Sequence, residues 1–109
     1  MSDLVKTITV PPDHPSLPGH FPGRPIVPGV LLLDLIAQQF AMSQPQGVRL
    51  IGISSAKFQR PVLPDEVVTV NIRIVQNDDS KELRARFQAT VNGQPAAEGT
   101  FLFAVDANS

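Results

Sequence analysis

Hydrophobic residues are spaced along this chain in two ways. From Glu66 to Gln76 they alternate with polar residues: Val68, Val70, Ile72 and Ile74 share one face, and Thr69, Asn71 and Arg73 the other. That period of two is expected of an antiparallel sheet with one wet side. The alternation resumes from Lys81 to Val91 through Leu83, Ala85, Phe87 and Ala89, after an Asn77-Asp78-Asp79-Ser80 turn. Asn92-Gly93 is a strong hairpin signal, and Ala96 to Val105 reads as the closing strand. Two further strands are predicted, over residues 4 to 10 (LVKTITV) and from Val48 to Gln59, the latter ending at Arg60-Pro61 where PVLPDE makes a bend. Phe87, Phe101 and Phe103 are assigned to the core.

The second spacing is continuous. Val30, Leu31, Leu32, Leu33, Leu35, Ile36, Ala37, Phe40, Ala41 and Met42 leave a helix-length segment without a polar face. Such a helix belongs in the centre of a domain. It starts at Gly29 behind Pro28 and should stop near Ser43, because Pro45 biases Gln44 out of the α region. Strand, long loop, central helix and four consecutive strands predict an α+β fold, an antiparallel sheet wrapped around one long helix.

One acid interrupts the apolar helix. Burying ionised Asp34 there costs several kcal/mol unless it is paired, hydrogen-bonded or protonated. Two explanations fit. Asp34 faces a polar gap or caps a backbone group, with Gln38 at i+4 as hydrogen-bond partner; or it works with His20, fourteen positions upstream, as an acid–base pair. His20 lies in a loop stiffened by Pro18, Pro22, Pro25 and Pro28, part of a proline-punctuated stretch from Pro11 to Pro28, and long loops in compact domains are usually functional. The free amides at Gly29 form a site that favours developing negative charge.

Composition narrows the partners. The 109 residues suit a single domain, 1–109, with one core. Nine basic and ten acidic residues, net −1, give no electrostatic case for nucleic acid or an anionic membrane. Without cysteine there is no disulfide framework, thiolate nucleophile or thiolate metal site. The N-terminus lacks signal-peptide character and no apolar run approaches membrane-spanning length, so a soluble cytoplasmic protein is expected. His14 and His20 have no third ligand at suitable spacing, and no metal site is expected.

GHFPGRPIVPGVLLLDLIAQ (Gly19 to Gln38) resembles the active-site signature of the FabA/FabZ-type 3-hydroxyacyl-ACP dehydratases, which have the hot-dog fold. AKFQRPVLPDEVV (Ala56 to Val68) resembles that family's strand after the helix, and NGQPAAEGTFLFAV (Asn92 to Val105) its closing hairpin. The resemblance implies a hydro-lyase of fatty-acid or polyene and polyketide biosynthesis. His20 would remove the α proton of a 3-hydroxyacyl thioester, and Asp34 would protonate the departing hydroxyl. The Gly29 amide, with Val30 beside it, would hold the thioester oxygen, the Ile26 carbonyl would orient the His20 ring, and Gln38 would support the acid. An apolar wall around Asp34 would favour its protonated form.

By the same resemblance the partner is acyl carrier protein, and no cofactor is needed beyond the phosphopantetheine that carries the substrate. The working unit would be a homodimer with sheets joined edge to edge and each site shared, histidine from one chain and acid from the other. Phe21 and Phe58 are candidates for the acyl tunnel, while Phe40 is assigned to the core. Arg24, Arg49, Lys57 and Arg60 are either a basic rim for the carrier protein or scattered surface cations. The catalytic acid is aspartate, as in the FabA branch, whereas the HFPG motif is closer to the FabZ branch. Two alternatives stay open: an acyl thioesterase of the same fold, and a non-catalytic partner subunit of a larger dehydratase or synthase.

Overall fold

The computed structural model describes residues 4–14, 26–78 and 81–106. In chain order it contains β1 (Leu4–Ile8), α1 (Gly29–Ser43), β2 (Val48–Phe58), β3 (Val68–Asp78), β4 (Glu82–Val91) and β5 (Gln94–Val105). All five strands form one antiparallel sheet in the order β1-β3-β4-β5-β2. The three central strands follow one another as a meander. β1 and β2, which flank the helix in sequence, take the two edges.

The hairpin signal is realised as a two-residue loop: Val91 pairs with Gln94, and Asn92 and Gly93 have φ of 53° and 78°. Both central residues are left-handed, as a type I′ turn requires, so β5 begins at Gln94 rather than at the expected Ala96. β1 ends at Ile8, two residues short of the expected span, although Val10 beyond it is buried. β3 starts at Val68, two residues later than expected, because Glu66 is engaged in the bend before it.

The alternation in β3, β4 and β5 sends Val68, Val70, Ile72, Leu83, Ala85, Phe87, Ala89, Phe101 and Phe103 to the core side. There Phe87 and Phe101 stack with ring centroids 4.8 Å apart, and Phe40 of α1 meets Phe103 at 4.8 Å. Such ring pairs add roughly 0.5–1.5 kcal/mol beyond the area they bury. The helix also touches both edge strands, so the sheet curls around it.

The curl is incomplete, which corrects the expectation of a helix buried on every side. Leu32, Ile36, Ala37 and Phe40 are buried, while Val30 and Met42 are 80% and 77% exposed, and Leu31, Leu33, Leu35 and Ala41 are half-buried. The physical reason is geometric. A single five-stranded sheet covers one side of a helical cylinder, and the opposite side stays open whatever its composition.

Candidate active site

The site begins where the chain enters α1. Pro28 is the N-cap residue, with φ −58°, and its carbonyl accepts the first helical hydrogen bond, from Leu32 N–H at 3.0 Å. The amides ahead of Leu32 have no acceptor within the helix. The positive end of the helix dipole therefore projects past Gly29.

Glycine is required at that point by close approach. A Cβ on Gly29 would lie 2.7 Å from Cζ of Phe58, whose ring covers the start of the helix. Phe58 is the last residue of β2 and is itself 48% exposed. Ile26, Val27, Val30, Leu33, Phe58 and Val62 are among the residues lining an open groove of about 540 Å³ along this end of α1. Its walls are chiefly apolar, as expected of a site for an acyl chain or another apolar ligand.

The segment ahead of the helix is pinned from outside. Val27 N–H donates to the Val62 carbonyl at 2.8 Å, and both side chains are buried. Val62 lies in the bend between β2 and β3, where Glu66 N–H donates to the Leu63 carbonyl at 3.2 Å and Asp65 has φ 70°. Proline in second place and a left-handed residue in third is the signature of a type II turn.

Asp34 sits one turn into α1, on the arc the sheet leaves open. Its side chain is exposed in the single chain rather than buried, and its Oδ2 accepts a hydrogen bond of 2.9 Å from Gln38 Nε2. The i+4 partnership read from the sequence is therefore present. On the same arc are Val30, Leu31, Leu35 and Met42, so the carboxylate stands in an apolar surround facing outward. Gly29 and Val30 border the groove, and Ile26 is exposed beside them. His20 and Phe21 lie outside the described residues, as does Arg24.

The basic rim resolves differently at each position. Arg49 is exposed and reaches Asp106 at 3.8 Å, Lys57 is exposed, and Arg60 is half-buried and engaged with Glu66. That last pair was not foreseen. Its signal was present in the sequence, an arginine and a glutamate flanking a Pro-rich turn, which brings residues six apart within reach.

The outer edge of the sheet is also open. β2 is eleven residues long and, among the described residues, pairs with β5 alone, and Leu50, Ile51 and Ile53 along it are exposed. Among the described residues no helix is long and apolar enough to cross a membrane.

With this geometry in place, comparison with known proteins gives a consistent result. The ApeI-like family model, described as ApeI dehydratase, matches residues 2–100. The chain is 38% identical over 112 residues to the 3-hydroxyacyl-[acyl-carrier-protein] dehydratase FabZ of Haemophilus influenzae (strain 86-028NP), covering 92% of this chain and 71% of that protein. Among solved structures, the dehydratase heterocomplex ApeI:P from Xenorhabdus doucetiae superposes with a TM-score of 0.71 at 23% identity, covering 94% of this chain and 87% of that one. The fluoroacetyl-CoA thioesterase FlK gives a TM-score of 0.75 at 19% identity, covering 96% and 85%. At such identities the structural likenesses speak for the fold, the hot-dog arrangement of sheet around helix.

Proposed function

The chain belongs to the ApeI-like dehydratase family, and on that premise we propose that it dehydrates 3-hydroxyacyl thioesters carried on acyl carrier protein, giving the 2-enoyl thioester and water. The observation that carries this reading is Asp34. It is an exposed carboxylate steadied by Gln38 on an otherwise apolar and partly uncovered arc, one turn from the amide-rich start of the helix.

The chemistry sets the roles. His20 takes the proton from the α carbon, and the electron pair moves into the new double bond as the β C–O bond breaks. Asp34 gives its proton to the departing oxygen, which leaves as water. Negative charge that builds on the thioester oxygen is held by the Gly29 N–H, with the helix dipole behind it and Val30 alongside. The Ile26 carbonyl accepts from the His20 ring and so decides which nitrogen is free to act as base. Positioned acid–base groups contribute roughly 10² to 10⁴ in rate, and one oxyanion donor roughly 10² to 10³. Elimination leaves the oxidation state unchanged, so no redox cofactor is called for, and phosphopantetheine arrives with the substrate. Phe21 and Phe58 flank the acyl chain in this reading.

We read the working unit as a homodimer in the cytoplasm, each site taking His20 from one chain and Asp34 from the other. The support is the pairing of two uncovered surfaces, the long β2 edge with its exposed Leu50, Ile51 and Ile53, and the outward arc of α1. An unpaired edge of that length is a template for a second strand. A second copy laid against it covers Asp34 and closes the groove from outside.

Incubation with 3-hydroxyacyl-ACPs, followed by mass spectrometry of the carrier-bound product, tests the reaction. Loss of one water with the thioester intact is expected. Free acid and released thiol would instead mark a thioesterase. If no enoyl product forms, and His20→Ala and Asp34→Asn leave every measured property unchanged, the reading is abandoned. A stable complex with a different subunit and no turnover alone would make the chain a partner subunit.

A further inference from the structure

The bend between β2 and β3 holds a half-buried ion pair to which the reaction gives no role. Arg60 Nη2 donates to both oxygens of Glu66, at 3.0 Å to Oε2 and 3.3 Å to Oε1, and Arg60 Nε donates to the Pro61 carbonyl at 3.2 Å. Glu66 Oε1 also accepts the Leu63 N–H at 2.8 Å. One carboxylate therefore binds the first residue and the middle of a seven-residue bend in which it is itself the last. The two side chains are 29% and 23% exposed, so water and salt screen them less than a surface pair.

What this bend holds gives the pair its interest. The Val62 carbonyl, inside it, receives the Val27 N–H at 2.8 Å, and Asp65 N–H donates to the Val10 carbonyl at 2.8 Å. Just before it, Gln59 N–H donates to the Ala96 carbonyl at 2.9 Å. The bend is thus anchored to β5 on one side and to the segment after β1 on another. Its third attachment is to the residue between the Ile26 carbonyl and the Pro28-Gly29 helix start. Val27 belongs to neither a helix nor a strand; apart from the bond by which the Pro28 carbonyl joins α1, its link to Val62 is the backbone bond that ties segment 26–28 to the rest of the fold among the described residues.

We propose that Arg60 and Glu66 form a positioning clamp for the oxyanion turn. By fixing the shape of the bend, the pair fixes the Val62 carbonyl, and through Val27 it sets where the Gly29 amide and the Ile26 carbonyl stand. This deepens the dehydratase reading and rests on it. Neither side chain touches the reacting atoms. Glu66 acts through the bend, and Arg60, although it borders the groove, is turned to Glu66. Displacement of a catalytic group by about 1 Å is enough for a rate loss on the order of 10²-fold.

The test pairs kinetics with amide hydrogen exchange in the full chain. In Glu66→Ala, kcat is expected to fall about tenfold or more with KM within about twofold, the pattern of an interaction felt in the transition state. Exchange at the Val27 amide should accelerate at least about tenfold while Phe87 and Phe101 keep their protection, a local opening rather than a global one. Glu66→Gln, which keeps an acceptor for Leu63 N–H and Arg60, should recover most of both losses. If the alanine form does not fold, Arg60→Met, which breaks the pair and leaves Glu66 bonded to Leu63 N–H, is read in its place and should accelerate Val27 exchange at least about threefold. Unchanged Val27 exchange in Glu66→Ala, or in Arg60→Met where that is the folded variant, overturns the clamp. So does loss of protection at Val27, Phe87 and Phe101 together, which marks general destabilisation. A raised KM with intact kcat in Arg60→Lys also overturns it, since Arg60 would then be a substrate contact. Val27 exchange is read without substrate, so a wild-type chain with no dehydratase turnover removes the reaction while the clamp is still judged.

Discussion

The two sides of α1 are alike in composition and opposite in circumstance. On the inner side Leu32, Ile36, Ala37 and Phe40 find every partner within their own chain, and Phe40 is locked against Phe103. On the outer side Val30 and Met42 are nearly as apolar yet largely exposed, and Leu31 and Leu35 reach the core with only part of their surface. Asp34 and Gln38 are on the outer side. The contrast teaches that the inner arc is there for the fold and the outer arc for what meets the fold. Leaving that much apolar surface uncovered is disfavoured, at roughly 25 cal/mol per Å² of area that could be buried, so a partner is favoured there.

Substitutions on the two sides should part company. The largest effect is expected at Asp34→Asn, where dehydration slows by roughly 10² to 10⁴-fold. Its urea midpoint should nevertheless stay close to wild type, as exposed positions usually change stability by less than about 0.5 kcal/mol. A matching loss of stability would erase the distinction between the arcs. Phe40→Ala is the mirror case: about 3–5 kcal/mol of folding free energy lost in urea unfolding, with the folded fraction still turning over substrate. Near-full stability there would show that the inner arc is not the core. The smallest change in single-chain stability is expected for Ile53→Lys on the β2 edge. A lysine on an edge strand opposes strand addition. Light scattering should then report half the wild-type mass, and turnover should fall with it; a dimer that persists would remove the edge from the assembly.

Much of the architecture was legible because it depends on local signals. Pro28 and Pro45 bracket the helix, which runs from Gly29 to Ser43 as expected, and Asn92-Gly93 states its turn outright. The alternation in β3 and β4 reads directly as inside and outside because one face of the sheet is wet. The orientation of α1 was harder to read, since residues that are apolar all round carry no directional signal. In retrospect the two polar positions, Asp34 and Gln38, mark the open arc, being one turn apart on a single side. The Arg60–Glu66 pair escaped for another reason: the flanking charges are visible in the sequence, but whether they meet depends on how the bend between them closes. His20 stands apart, since its role is inferred from motif and chemistry and its position lies outside the described residues.

The strand order has a consequence for how the molecule comes together. β3, β4 and β5 are neighbours in both sequence and space, so their pairings close only short loops, whereas β1–β3 and β2–β5 must each bring distant stretches of chain together. Loop closure entropy makes the distant pairings the slower ones. The C-terminal meander is therefore expected to be the nucleus on which the rest condenses. Mutations in β4 should slow folding, whereas mutations in β2 should mainly hasten unfolding. The groove at the start of α1, bounded by β2 and by the bend that follows it, is therefore among the last parts to form and the first to come undone.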